Sequence, residues 1–201
     1  MQGLLSNFRN TMIVSFLLSV VMIVGYLAHN QSADVIFVQA VLRWAHVVLG
    51  ILWIGLLYYF NFVQIRKMPE IPAELKPAVS KYIAPEALFW FRWAALFTVI
   101  TGIALAWSRG YLIEAFSLGA VGGFVAPQHT FIGVGMWLAV IMFLNVWLVI
   151  WPNQKIALGL VEADDAAKAK AGRTAMLFSR TNTLLSLPML VTMAMNQTIF
   201  G

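Results

Sequence analysis

Residues 38–64 read VQAVLRWAHVVLGILWIGLLYYFNFVQ, and this stretch decides the fold. Between Arg43 and Arg66 it holds no Asp, Glu, Lys or Arg. About 20 consecutive apolar residues let a helix cross the hydrocarbon core of a bilayer, so the segment predicts a transmembrane helix. Four further segments of the same kind lie near 11–29, 87–108, 128–151 and 174–199. Composition agrees: 61% of the 201 residues are apolar and 10% charged, with mean hydropathy +0.83. Soluble domains carry about 25% charged residues. The expected fold is all-α, a polytopic bundle of about five spans forming a single integral membrane domain over 1–201. Its first partner is the lipid bilayer.

The cations are arranged along the chain in a pattern that sets orientation. Arg66, Lys67, Lys76 and Lys81 fall in the loop 65–86, and Lys155, Lys168, Lys170 and Arg173 fall in the loop 152–173. With five spans these loops share a side, which the positive-inside rule makes the cytoplasm. The N-terminus is then cytoplasmic and the C-terminus periplasmic, in a bacterial inner membrane. The net charge of +5 is accounted for in this way. No basic stripe interleaved with aromatics points to nucleic acid. Arg9 followed by the apolar run Thr11–Ala28 reads as an uncleaved first span, since no small-residue cleavage site follows. Residues 110–126 are apolar, glycine-bearing and short. They are expected to form an interfacial or partly re-entrant segment, because a sixth span would put the basic loops on opposite faces. The charged, alanine-rich stretch 162–173 predicts a helical extension into water. Pro69, Pro72, Pro77 and Pro85 predict irregular structure around 65–86.

The chain has no cysteine. Disulfides, thiolate metal sites, iron–sulfur clusters and covalent c-type haem are excluded. A catalytic triad or a pair of buried carboxylates is not present in a suitable context. The glycines of 119–123 lack the strand and helix of a nucleotide cradle.

Two of the three histidines share one local frame, His46-Val-Val-Leu-Gly50 and His129-Thr-Phe-Ile-Gly133. Positions i and i+4 share a helix face, and a glycine below an imidazole leaves room for a flat group. A parallel repeat continues the likeness. Asn61 matches Asn145, Ala87–Arg92 matches Ala175–Arg180, and Thr98 matches Ser186, so spans two and three correspond to spans four and five. Imidazoles at equal depth on sister helices suit the two axial ligands of a b-type haem, with Gly50 and Gly133 admitting the ring and Trp53 and Met136 at its edge. Such a bis-histidine haem would transfer electrons. The alternative is two helices that pack closely at glycine, with histidines hydrogen-bonded at the interface. His29, at the outer end of span one, is a candidate third ligand of a small metal site or an interfacial residue in water. Asn61, Gln64, Arg92, Asn145, Arg180 and Asn182 put polar groups in the cytoplasmic half. They serve either interhelical hydrogen bonds or a pocket for a quinone headgroup or an anion.

Three longer strings, WIGLLYYFNFVQ (53–64), NVWLVIWPNQK (145–155) and SRTNTLLSLPML (179–190), resemble the urate oxidase N-terminal membrane domain family. The resemblance covers about 40–190. Trp44 to Gly55 is also loosely similar to other small membrane haem proteins, including one type of protoporphyrinogen oxidase. The first family includes a bacterial urate hydroxylase whose membrane domain precedes a cytochrome c domain. The resemblance therefore implies a redox-linked inner-membrane protein, an oxidoreductase component working with cytochrome c or another membrane subunit. A non-enzymatic accessory subunit of a larger membrane complex is the second expectation, and a transporter the third.

Overall fold

The computed structural model describes residues 2–30 and 33–200. The chain divides into two compact units, Met1–Ala40 and Val41–Gly201. The first contains helix α1 (Phe8–Asn30). Asn7 opens it, its Oδ1 accepting from the Asn10 amide at 3.2 Å, which satisfies a donor that has no partner within the helix. Phe16, Leu18, Val21 and Met22 are exposed along it, as lipid-facing residues of a span are. The start of α2 (Val35–Tyr58) also belongs here. Asp34 caps it through a 2.8 Å bond from the Phe37 amide to its Oδ1. The rings of Tyr26 and Phe37 stack at 5.7 Å.

The second unit is a bundle built from the rest of α2, α3 (Ala84–Ser108), α4 (Pro127–Leu144) and α5 (Asp165–Phe200). Among the described residues, five helices are long and apolar enough to cross a membrane, as the sequence predicts. The proline-rich loop is more helical than expected. A 3₁₀ turn, Met68–Glu70, ends the α2 arm, and helix resumes at Lys76 to run into α3. Pro77 sits in the first turn of this run, where the missing N–H costs nothing, and Pro85 follows directly on the π-helical turn Val79–Ile83 within it. The charged stretch before span five joins α5 as predicted, capped by Asp164, whose Oδ1 accepts the Ala167 amide at 2.7 Å.

Side-chain spacing explains how the bundle closes. Trp53, Leu57 and Phe60 form one buried face, which meets Leu88, Phe91 and Ala95 of α3 and Met142, Val146 and Met189. Helix α5 buries Ala171, Ala175, Ser179, Asn182, Ser186, Met189 and Thr192, a stripe of mostly small residues that lets membrane helices approach closely. Tyr58 bonds Ser186 at 3.0 Å and Asn61 bonds Ser179 at 2.8 Å, so α2 and α5 are antiparallel. Asn145 and the Met142 carbonyl both bond Asn182, each at 2.9 Å, while Gly135 faces Thr192. Helix α4 is therefore also antiparallel to α5, and α2 and α4 run in the same direction, as a parallel repeat requires.

A π-helical turn marks the matched positions. Asn61 lies in Tyr59–Gln64, and Asn145 opens Asn145–Ile150. Such turns insert a residue into a helix and are frequent at functional positions.

Residues 110–126 do not cross the bundle. They form the short helix Leu112–Phe116 and a series of turns. The segment is tied to α4, where Trp137 Nε1 donates to the Phe116 carbonyl at 2.9 Å and Thr130 Oγ1 to the Leu118 carbonyl at 2.7 Å. Leu118 and Phe124 adopt positive φ, 55° and 61°, a conformation side chains rarely take. The Ala115 carbonyl fills the space beside Gly133, where a Cβ would overlap it.

Candidate functional site

Helix α2 brings His46 to α3. The His46 Nδ1 lies 2.9 Å from the Thr98 carbonyl oxygen and 3.4 Å from Thr101 Oγ1. A carbonyl only accepts, so Nδ1 carries the proton in this contact and Nε2 keeps its lone pair. Metal-binding imidazoles are commonly oriented in this way. The ring occupies the notch at Gly102, where a Cβ would stand 2.9 Å from His46 Cε1. Gly102 was not singled out by the histidine motif, because the position needing a glycine lies on the neighbouring helix. Its sequence signal is a small pair, Thr101-Gly102, within an otherwise bulky span.

Around His46 is a narrow cleft lined by Thr98, Gly102, Phe116, Met136 and Met193, with a volume of about 40 Å³. Met136, expected beside a cofactor, shares this cleft and is 9% exposed. Gly50 faces Thr98 Cγ2, which a Cβ would meet at 3.8 Å. Trp53 is buried in the core beyond, with its Nε1 unpartnered.

His129 opens elsewhere. Its ring stacks on Tyr111, centroids 6.0 Å apart and planes inclined by 23°. It lines a second cavity of about 210 Å³ with Arg109, Gln128, Asn196 and Gln197. Ile132 lines this cavity and Met136 lines the His46 cleft, and both belong to one small apolar cluster with Ala106 and Ala115. The two spaces have no lining residue in common. Burial pushes the Tyr111 hydroxyl above the ordinary tyrosine range, while the Arg109 and Arg43 charges partly oppose the rise.

His29 is exposed at the end of α1. No group of three or more His, Cys, Asp or Glu side chains gathers among the described residues. The polar residues of the other half of the bundle largely pair across helices, as described for Asn61, Asn145 and Asn182. Arg92 instead lays its guanidinium over Trp151, 3.3 Å from the ring centroid.

Fold and site together define a helical membrane protein with an oriented imidazole inside its bundle and a polar cavity at one end. Residues 110–200 match the model of the family described as urate oxidase N-terminal. The match covers the segment 110–126, α4 and α5, and so supports the resemblance carried by 145–155 and 179–190. No curated protein and no solved structure matches the chain.

Proposed function

We propose that this chain is a redox protein of a bacterial inner membrane, similar to the membrane part of a cytochrome c-linked urate hydroxylase, with haem b attached through His46. The observation that carries this reading is the His46 geometry: an imidazole within a candidate membrane span, bonded through Nδ1 and lining a cleft together with Met136 and Met193. An ionisable, ligand-type side chain at membrane depth is costly and points to function. The match to the urate oxidase N-terminal family supports a link to urate-oxidising proteins.

The donor chemistry is of the kind that would hold a haem iron at His46, with Met136 and Met193 as further soft donors. The 40 Å³ cleft, little more than one water's share of volume, does not itself enclose a tetrapyrrole. Helix α2 has no buried residue before Trp53, and widening would have to occur along this loosely held half. His129, the second ligand expected from the sequence, lines the other cavity instead. Bound haem supplies one-electron transfer. The protein orients His46 and lines its cleft with Phe116 and Met136, and a soluble partner such as cytochrome c would approach from the periplasmic side, opposite the basic loops. The positive-inside rule, applied to the basic loops, supports a cytoplasmic N-terminus and a periplasmic C-terminus.

The test is a reduced-minus-oxidised spectrum of the purified protein, with a pyridine haemochrome assay. The wild type should show b-type bands, His46→Ala should lose them and His129→Ala should keep them. Loss in both variants would restore paired histidine ligation. A colourless wild type ends the reading.

A further inference from the structure

The cavity at His129 is outside the His46 reading and has chemistry of its own. Its volume of about 210 Å³ equals roughly seven water volumes, enough for a small organic molecule. Arg109 lines it, and Arg43 is near enough to act electrostatically on both Arg109 and Tyr111. Among the described residues the one ion pair is Lys67–Glu70, so neither arginine has a carboxylate partner there. Asn196 lines the same cavity, and its Oδ1 is buried without a hydrogen-bond partner. An acceptor buried in this way is costly until a donor reaches it. Gln128 and Gln197 add further amides, and Ile132 and Phe200 supply an apolar wall.

We propose that this cavity binds a small oxyanion that also carries an O–H or N–H donor, its negative charge held at Arg109 and its donor bonded to Asn196 Oδ1. A free hydroxy acid satisfies this description. So does a phosphatidylglycerol headgroup, whose phosphate carries glycerol hydroxyls.

Calorimetric titration of the full chain in a neutral detergent tests the proposal with three probes. 3-Hydroxybenzoate supplies charge and donor, benzoate removes the donor, and 3-hydroxybenzamide removes the charge. Saturable 1:1 binding of 3-hydroxybenzoate is expected, with each of the other two weaker by about tenfold. Arg109→Gln should weaken 3-hydroxybenzoate by about tenfold or more. Asn196→Ala should remove the preference for 3-hydroxybenzoate over benzoate while benzoate binding persists. Its unfolding temperature should not fall, because the deleted oxygen has no partner in the free protein. A purely structural Asn196 would lower that temperature and leave the probe preference intact. Absence of saturable binding, or affinities unchanged in both variants, overturns the proposal. Repeating the titration in phosphatidylcholine and phosphatidylglycerol nanodiscs separates the two sources. Binding lost only with phosphatidylglycerol assigns the cavity to the headgroup, and equal binding assigns it to a free molecule. The haem spectrum is recorded on the same samples, so failure here and failure of the His46 reading are told apart.

Discussion

His46 and Gly102 fit together as ring and notch: the imidazole occupies the space that any side chain at position 102 would need, with Cε1 2.9 Å from an ideal Cβ there. The glycine of the His46-x-x-x-Gly50 motif contributes ordinary close packing against Thr98. The glycine that admits the imidazole comes from α3.

Gly102→Ala should therefore displace the His46 ring without touching its chemistry. Overpacking of a well-filled site costs about 1–3 kcal/mol. The variant is expected to unfold at lower temperature, and any His46-dependent absorbance should fall with it. An unchanged spectrum would show that the ring works from another position.

Met136→Leu separates donor from packing. Thioether ligation raises the reduction potential of a haem iron. If Met136 completes the coordination of a His46-bound haem, the leucine variant should have a lower midpoint potential in redox titration. Equal potentials would confine Met136 to lining the cleft.

Gly133→Ala tests the tie between α4 and the re-entrant segment. The added methyl would overlap the Ala115 backbone carbonyl, which cannot rotate away as a side chain can. A loss of about 1–3 kcal/mol is expected, together with faster proteolysis in the turns 117–125. Thermal unfolding and limited digestion read the two effects.

Asn182 is fully buried and bonds both Asn145 and the Met142 carbonyl. Hydrogen bonds between membrane helices average about 0.6 kcal/mol and reach about 1.7. Asn182→Ala should lose an amount of this order, and a double-mutant cycle with Asn145→Ala should show coupling. Additive losses would mean that the two side chains act independently.

Tyr111 gives the pH dependence a sign. Its hydroxyl titrates above the ordinary value in the folded protein, so at high pH the unfolded chain gives up its proton first. Stability should be level below about pH 10 and fall as pH rises through and above it. Tyr111→Phe should flatten that fall in a series of unfolding temperatures from pH 8 to 11.

The spans were legible because lipid imposes a long, uncharged run on each one. The matched asparagines were legible too, and both proved to lie at π-helical turns bonded to α5. The destination of each histidine was not, because it depends on neighbouring segments: Gly102 opens a notch for His46, while Tyr111, just before the short helix Leu112–Phe116, offers a ring to His129. The proline-rich loop misled for a related reason. Proline interrupts a helix interior but suits a first turn, and only the fold tells which of these Pro77 and Pro85 occupy.

In the repeat, Thr98 corresponds to Ser186, and the same offset carries Gly102 onto Leu190. The notch that seats an imidazole in the first half has a branched aliphatic side chain as its counterpart in the second. The helix register differs too: Gly135 faces Thr192, and His129 lines a cavity with Asn196 and Gln197 rather than meeting position 190. Matched local sequence has therefore delivered the two imidazoles to unlike surroundings.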